Sequence, residues 1–223
     1  MATQLDLQEQ EQLEELKAFW KKYGNLITWL LILVLGAVAA YNGWQLYQRD
    51  QASKAAALFE QLERAVQSGD ATLTAKVSAD LRQRYPRTAF AEQGALLAAK
   101  VQYDKGQADQ AKAELAWVAE HASQDEYKTI ARLRLAGLLM DQQQFDAALK
   151  QLEGGAPKEF EALVADRRGD ILLAQGKKDE AKAAYQAAWK AMDETVEYRR
   201  LVDAKLTALG AAPAASAAAG GQQ

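Results

Sequence analysis

The chain has 223 residues and a formal net charge of −3, from 27 basic and 30 acidic side chains. This near-balance excludes the strong basic footprint with which nucleic-acid-binding domains neutralise phosphates. Because the sequence contains no cysteine, it also excludes a disulfide framework, a thiolate metal site and lipidation of a thiol.

The first informative segment runs from residue 23 to residue 48 and contains no charged side chain. A helix of about 20 largely apolar residues spans a bilayer, and aromatic rings collect where such a helix meets the membrane interfaces. Aromatic side chains lie near both ends of the segment: Trp20, Tyr23, Tyr41, Trp44 and Tyr47. The sequence therefore predicts a tail at 1–22 and a transmembrane helix at 23–48.

The basic residues that flank this span predict its orientation. Lys17, Lys21 and Lys22 precede it, whereas Arg49 and Lys54 follow it. The flank that is richer in basic residues stays in the cytoplasm. The tail is thus predicted to be cytoplasmic and the rest of the chain to lie on the other side.

A cleaved signal peptide is the alternative interpretation of this segment. Ala37, Val38 and Ala39 have the small-x-small pattern of a cleavage site. Signal peptides normally begin with a short basic region, whereas the flank before this span is long and contains several acidic residues. The sequence therefore favours an uncleaved signal anchor over a cleaved, soluble chain.

Small residues follow one side of the predicted span. Gly36 and Ala40 are four positions apart, and Gly43 follows after three more. Such a groove lets a second transmembrane helix approach closely and pack by van der Waals contact. These residues form a candidate helix–helix contact in the membrane.

Beyond the span, a helical pattern recurs. In the stretch RRGDILLAQGKKDEAKAAYQAA, Gly169 lies within a helix as a packing glycine, Gly176 forms a turn, and Ala181 begins to pack a second helix. The same offsets of seven and five residues connect Ala99, Gly106 and Ala111, and again Ala136, Gln143 and Ala148. This pattern of helix, turn and helix resembles the tetratricopeptide repeat, although the early tryptophan and the closing proline of that family are absent.

Other helices flank the three repeats. Ala52 to Gln67 and Leu73 to Arg84 form a predicted hairpin that is broken at Ser68-Gly69-Asp70, and Val196 to Leu209 forms a lone helix with Leu201, Lys205 and Leu209 on one side. The predicted fold is all-α: one N-terminal transmembrane helix followed by a tetratricopeptide-repeat-like α-solenoid at 49–209. The Ala/Gly-rich tail at 210–223 has too little apolar bulk to pack and is predicted to be disordered.

The resemblance implies a concave groove lined by the first helix of each repeat. Mapped onto this sequence, the groove positions combine apolar side chains with single charges, a mixture that suits a peptide or a partner segment. The candidate partner-binding residues are Gln93, Lys100, Tyr103, Met140, Asp166 and Asp170.

The residues offer little for catalysis. His121 is the only histidine and is predicted to lie at a helix C-terminus, where an imidazole interacts with the helix dipole. Asp166 and Asp170 are four positions apart, but we expect an exposed pair on a repeat face, without the desolvation that shifts the pKa of a catalytic acid. We therefore predict no enzyme, no metal, no cofactor, no small-molecule substrate and no nucleic-acid partner.

The whole layout resembles the YfgM-like ancillary subunits of the bacterial Sec translocon. The resemblance covers roughly Leu5 to Leu209 and is clearest in ARLRLAGLLMDQQQFDAALKQLE and FEALVADRRGDILLAQGKKDEAKAAY. It implies a single-pass protein of the bacterial inner membrane with its repeats in the periplasm. It also implies contact with the translocon and with a membrane-anchored periplasmic chaperone of the prolyl-isomerase class. For some members it implies a link to a cytoplasmic response regulator.

From these observations we expect an anchored adaptor that brings a chaperone to proteins leaving the translocon. In a second hypothesis the chain is a regulator of envelope-stress signalling, which binds a signalling protein through Leu13, Leu16 and Trp20 of the tail. In a third, the chain is a cleaved periplasmic scaffold.

Overall fold

The structure is a computed structural model that describes residues 7–212, with side chains from residue 10 onward. All regular secondary structure in this range is helical, as predicted. The helices are α1 (Leu7–Gln67), α2 (Ala71–Arg84), α3 (Ala89–Asp104), α4 (Ala108–His121), α5 (Asp125–Asp141), α6 (Phe145–Gln151), α7 (Lys158–Ala174), α8 (Lys178–Ala191) and α9 (Arg199–Ala208). The chain divides into two units, Met1–Gln51 and Ala52–Gln223. Most of the tail predicted at 210–223 lies outside the described residues.

Helix α1 contains the predicted span, and among the described residues it is the one helix whose length and composition would let it cross a membrane. The helices predicted at 23–48 and 52–67 both lie within α1, which is continuous through residues 49–51. Residues 49–51 are Arg, Asp and Gln. None of them is a glycine or a proline, so nothing in the backbone stops the helix there.

The turns of the hairpins share one backbone geometry. Gly106, Gln143 and Gly176 all have positive φ, at 75°, 59° and 81°. After α3, the N–H of Gly106 donates to the carbonyl of Tyr103 and the N–H of Gln107 donates to that of Gln102. The equivalent bonds form after α5 and α7, so each first helix ends in a Schellman motif with a left-handed residue. The recurring landmark in the sequence is therefore the residue that stops the helix, and Gln143 adopts this conformation although it has a side chain.

The small residues at the other two landmarks lie where the paired helices cross. Ala99, Ala111, Ala136, Ala148 and Ala181 are all buried, with at most 3% of their surface exposed. This confirms that the repeat spacing marks helix crossings. The apolar core continues from the α1–α2 hairpin through the repeats to α9, in three clusters of buried side chains.

At the helix crossing of the third repeat, a different pair of residues is in contact. The first two repeats place Ala99 and Ala136 in the first helix and pair them with Leu115 of α4 and with Leu152, the residue directly after α6. The third combines Gly169 with Tyr185, whose side chain is 1% exposed. A Cβ atom on Gly169 would lie 2.5 Å from Cε1 of the tyrosine ring. The Tyr185 ring therefore fills the space that a side chain at position 169 would need.

Helix α9 packs on α8, and only part of the predicted side takes part in the contact. Val202 and Leu206 are buried there, whereas Leu201 is 48% exposed. The helix also starts later than predicted, because the carboxylate of Asp193 accepts hydrogen bonds from the N–H and the hydroxyl of Thr195 and holds the preceding segment in a turn. The later start and the exposure of Leu201 correct the prediction, whereas Leu209 packs against the same core cluster and Lys205 is bonded to α7.

A buried carboxylate connects α2 and α4. Glu114 is 4% exposed, and it accepts hydrogen bonds from the hydroxyl of Ser78 (3.0 Å) and from the guanidinium of Arg82 (3.1 Å). Burial raises the pKa of the Glu114 carboxyl, although Arg82, Ser78 and Gln102 act in the opposite direction. Ionised Glu114 is therefore less stable in the folded chain than in the unfolded chain.

We predict that the effect of Gly169→Ala on the free energy of unfolding changes sign with the residue at position 185. Alanine should gain about 1 kcal/mol of helix propensity, but its methyl group would overpack the Tyr185 ring at a cost of about 1–3 kcal/mol. The single variant should lower the free energy of unfolding, measured by urea denaturation of the full chain in mild detergent. In a Tyr185→Leu background, which copies the first two repeats, the same substitution should raise it. A stabilising effect in both backgrounds would contradict the close packing.

The raised pKa of Glu114 predicts that Glu114→Gln stabilises the fold to an extent that depends on pH. A raised folded pKa means that the stability contributed by the protonated carboxyl is complete below its unfolded pKa and is lost as the pH rises through the folded pKa. Glutamine does not titrate, so the melting temperature of the variant should rise relative to that of the parent between pH 4 and pH 8. Glu120→Gln, on the exposed side of the same helix, should show no such trend. A difference that is constant with pH would rule out the linkage.

Candidate functional site

The first helices of the three repeats form a continuous layer, because α3 contacts α5 and α5 contacts α7. A cavity of about 400 Å³ opens on this layer. Its apolar surface comes from Ala99, Ala111, Leu115 and Leu138, all of which are buried. Its polar and charged members are Lys100, Tyr103, Arg134, Asp141 and Arg167.

Two of the predicted groove residues, Lys100 and Tyr103, line this cavity. The ammonium of Lys100 forms an exposed ion pair with Asp104 at 2.6 Å. The Tyr103 hydroxyl donates to the carboxylate of Asp141 at 2.7 Å and so joins α3 to α5. This bond and the charge of Asp141 raise the pKa of the Tyr103 hydroxyl, which therefore remains a neutral donor.

Arg134 and Arg167 are cavity residues that sequence reasoning missed. Arg134 donates to the backbone carbonyl of Leu96 at 3.4 Å, so it crosses from α5 to α3. The Arg167 guanidinium crosses from α7 towards α5 and occupies the space above Gly137, 3.3 Å from where a Cβ atom would lie. The glycine at 137 was the available signal, because it leaves room for a long side chain from the neighbouring repeat.

Gln93 and Met140 belong to the same helical layer but not to the cavity. The side-chain amide of Gln93 donates to the hydroxyl of Tyr127 at 2.6 Å. Met140 is half-buried and packs against the central core cluster. Both side chains therefore hold neighbouring repeats together.

The carboxylates of Asp166 and Asp170 are already bonded to other side chains of the same chain. The ammonium of Lys205 lies 2.8 Å from Oδ1 of Asp166 and 2.6 Å from Oδ1 of Asp170. The hydroxyl of Tyr198 donates to Asp166 at 2.7 Å, and that of Tyr185 donates to Asp170 at 2.8 Å. Burial, followed by these bonds, raises the pKa of each tyrosine and keeps both hydroxyls protonated.

The expectation of an exposed aspartate pair is therefore wrong for Asp166, which is 3% exposed. An unpaired carboxylate at that depth would be costly, and Lys205 of α9 provides its countercharge. Sequence reasoning missed this because Asp166 and Lys205 are 39 positions apart. At the third repeat, the groove face is thus bonded to the last helix of the same chain.

The described residues contain no group of three or more histidine, aspartate or glutamate side chains arranged to hold a metal ion. His121 is the last residue of α4. Its Nδ1 lies 3.1 Å from the carbonyl oxygen of Trp117, and its ring stacks on that of Trp117. Its position at a helix C-terminus agrees with the prediction.

In the first unit, Gly36, Ala40 and Gly43 are exposed on α1. No heavy atom other than those of their own helix segment lies within 4 Å of a Cβ built on Gly36 or Gly43. Leu13, Leu16 and Trp20 are also exposed, at 38%, 65% and 58%. Both stripes are open among the described residues.

Comparison with known proteins gives one consistent result. A family model described as a tetratricopeptide repeat-like domain matches residues 17–211. A protein of Neisseria gonorrhoeae called an ancillary SecYEG translocon subunit is 33% identical over an alignment of 208 residues, and the match covers 91% of this chain and 98% of that protein. A protein of the same name from Escherichia coli is 30% identical over 90% of this chain and 96% of its own length. A third, from Haemophilus influenzae, is 29% identical over 82% of this chain and 89% of its own length. No solved structure matches the chain.

The burial of Asp166 predicts that Lys205 is important for stability. Lys205→Met keeps the apolar stem but leaves two carboxylates without their cation, which should lower the free energy of unfolding by about 3 kcal/mol. Asp166→Asn in the Lys205→Met background should restore part of this loss, because it removes the uncompensated buried charge. Urea denaturation of the full chain measures both effects. Lys190→Met, at an exposed position of α8, is the control, and equal losses for the two lysines would contradict this role.

Proposed function

The chain belongs to the family of ancillary SecYEG translocon subunits, with a tetratricopeptide repeat-like domain, and on this premise we propose that it is an adaptor anchored in the bacterial inner membrane. Its repeats face the periplasm, and it associates with the Sec translocon. There it recruits a membrane-anchored chaperone of the prolyl-isomerase class to emerging chains. It is not an enzyme.

One observation carries the proposal: the similarity to the first of these relatives covers 91% of this chain and so includes both the candidate span and the repeats. The parts have a physical reason to occur together. A membrane anchor confines the repeat domain to the neighbourhood of other membrane proteins, which raises its effective concentration there. Weak contacts made by the repeats are then sufficient for recruitment.

We propose two contact surfaces for the adaptor. In the membrane, Gly36, Ala40 and Gly43 form the side on which a translocon helix packs, because small residues allow backbones to approach closely. In the periplasm, Lys100 and Tyr103 belong to the partner groove, together with the neighbouring arginines. Gln93 and Met140 support the groove as packing residues. Asp166 and Asp170 close its far end through their bonds to Lys205.

The exposed stripe on α1 favours a second function. Leu13, Leu16 and Trp20 share one side of a helix that begins at Leu7. An apolar stripe of this kind fits the groove of a partner protein. The second proposal is that this stripe binds a cytoplasmic response regulator of envelope stress.

Co-purification in mild detergent tests the first proposal. The parent chain should retain the translocon, and a variant without residues 2–16 should also retain it, because the adaptor function does not use the tail. Gly36→Leu combined with Ala40→Leu should lose most of the translocon, because leucine fills the groove but still favours insertion into the membrane. Gly36→Ala is the matched control, since it keeps the surface small.

Cysteine labelling in whole cells checks the orientation of the chain in the membrane. Single cysteines replace Gln12 and Gln186, which are both exposed, in a chain that has no other cysteine. After permeabilisation of the outer membrane, an impermeant maleimide should label position 186 and not position 12. The reverse pattern would overturn the periplasmic role. Loss of the translocon on deletion of residues 2–16 would move the contact to the tail.

A further inference from the structure

We infer that the cavity between α3, α5 and α7 binds an internal, acidic segment of a partner polypeptide in which an apolar side chain lies between carboxylates. This inference deepens the proposed function, on which it rests, because it gives the groove a ligand chemistry. It depends on the charge, shape and depth of the cavity.

The charge of the cavity is opposite to that of the chain. Lys100, Arg134 and Arg167 contribute three positive charges to its lining and Asp141 one negative charge, and with Asp104, which pairs with Lys100 just outside the lining, the local net charge is +1. The chain as a whole has a net charge of −3. A local excess of positive charge in a concave surface attracts an anionic ligand and repels a cationic one.

The two arginines are not neutralised within the domain. Among the residues at 7–212, neither Arg134 nor Arg167 forms an ion pair with a carboxylate. Asp141 instead accepts a hydrogen bond from the uncharged Tyr103 hydroxyl. Arginine presents a planar set of donors that fits a carboxylate in a bidentate geometry. Both guanidinium groups are therefore available to an acidic partner.

The base of the cavity adds an apolar requirement. Ala99, Leu115 and Leu138 line it, and none is more than 5% exposed. A flat anionic surface, such as a lipid headgroup layer, would contact the charged side chains but would not reach these residues. A polypeptide can insert one apolar side chain and place carboxylates on both sides of it. The combination of apolar base and basic rim therefore favours a polypeptide over a membrane.

The surroundings of the cavity limit how far the ligand extends. Towards α9, the carboxylates of Asp166 and Asp170 are already bonded to Lys205. A lysine-rich segment would find no free acidic site there. The open part of the groove therefore selects for negative charge.

Peptide binding to the full chain in zwitterionic detergent tests the inference. The probes are fluorescent octapeptides with both ends blocked, in which one leucine lies between two to four Asp or Glu residues at varied spacing. Fluorescence anisotropy should show saturable binding by at least one spacing, and its affinity should fall as salt is added. The same peptides with Asn and Gln in place of the acids should bind at least tenfold more weakly.

Variants locate the binding site. Lys100→Gln, Arg134→Gln and Arg167→Gln combined should weaken binding of the acidic peptide at least tenfold. Arg168→Gln is the matched control, because Arg168 is the next residue on α7 but is exposed outside the cavity lining. A thermal melt of each variant should show that it remains folded at the temperature of the binding measurement.

Several outcomes would overturn the inference. They are no binding at low salt, equal binding by the uncharged peptides, equal binding by the triple variant, or binding only by peptides with a free C-terminal carboxylate. The proposed function has its own readout, because co-purification with the translocon does not depend on the peptide. If co-purification persists while peptide binding fails, only the ligand chemistry is wrong. If the parent chain itself does not co-purify with the translocon, the proposed adaptor function is wrong.

Discussion

The repeat domain depends on helices that reverse direction within a few residues and then cross closely. The reversal requires one residue in the left-handed region at the end of each first helix, where the Schellman hydrogen bonds satisfy backbone carbonyls. The close crossing requires a small residue, alanine or glycine, on both helices, because a larger side chain at either position would separate the backbones. With both conditions met, α3, α5 and α7 lie side by side and form a single surface. The cavity is a consequence of that surface.

The same closeness explains the chemistry of the groove. Gly137 has no side chain to cover the backbone of α5, so the Arg167 side chain from the next repeat lies across this glycine. Arg134 similarly reaches back to the Leu96 carbonyl on α3. Positive charges from three consecutive repeats, those of Lys100, Arg134 and Arg167, therefore converge on one cavity, although each belongs to a different helix. A solenoid builds sites in this way, from equivalent positions of successive units.

The sequence was sufficient for the features that depend on local chemistry. The uncharged run predicted the long apolar helix, and the spacing of Ala99, Gly106 and Ala111 with its two recurrences predicted the hairpins. Gln143 was identified as a turn residue by spacing alone, and the structure confirms its left-handed conformation. Lys100 and Tyr103 were placed on the groove by the family resemblance, and they line its cavity.

What the sequence did not show depends on contacts between distant residues. The tie between Asp166 and Lys205 connects positions with no periodic relation, so the aspartate was expected to be exposed. Arg134 and Arg167 reach the cavity because of how far their side chains extend, which helical phase does not reveal. The exposure of Leu201 was not foreseen because this residue is as apolar as Val202 and Leu206. Only the packing of α9 on α8 distinguishes them.

The bonds of Lys205 also have a consequence for the length of the array. A repeat solenoid can in principle grow at its end, because each unit offers the next an open layer of side chains. Here α9 covers that layer, and its single lysine holds two carboxylates of α7 at once. Another helix pair, or the first hairpin of a second molecule, would have to displace both bonds and expose Val202 and Leu206. The last helix thus covers the end of the solenoid, and a further repeat could pack there only by displacing it.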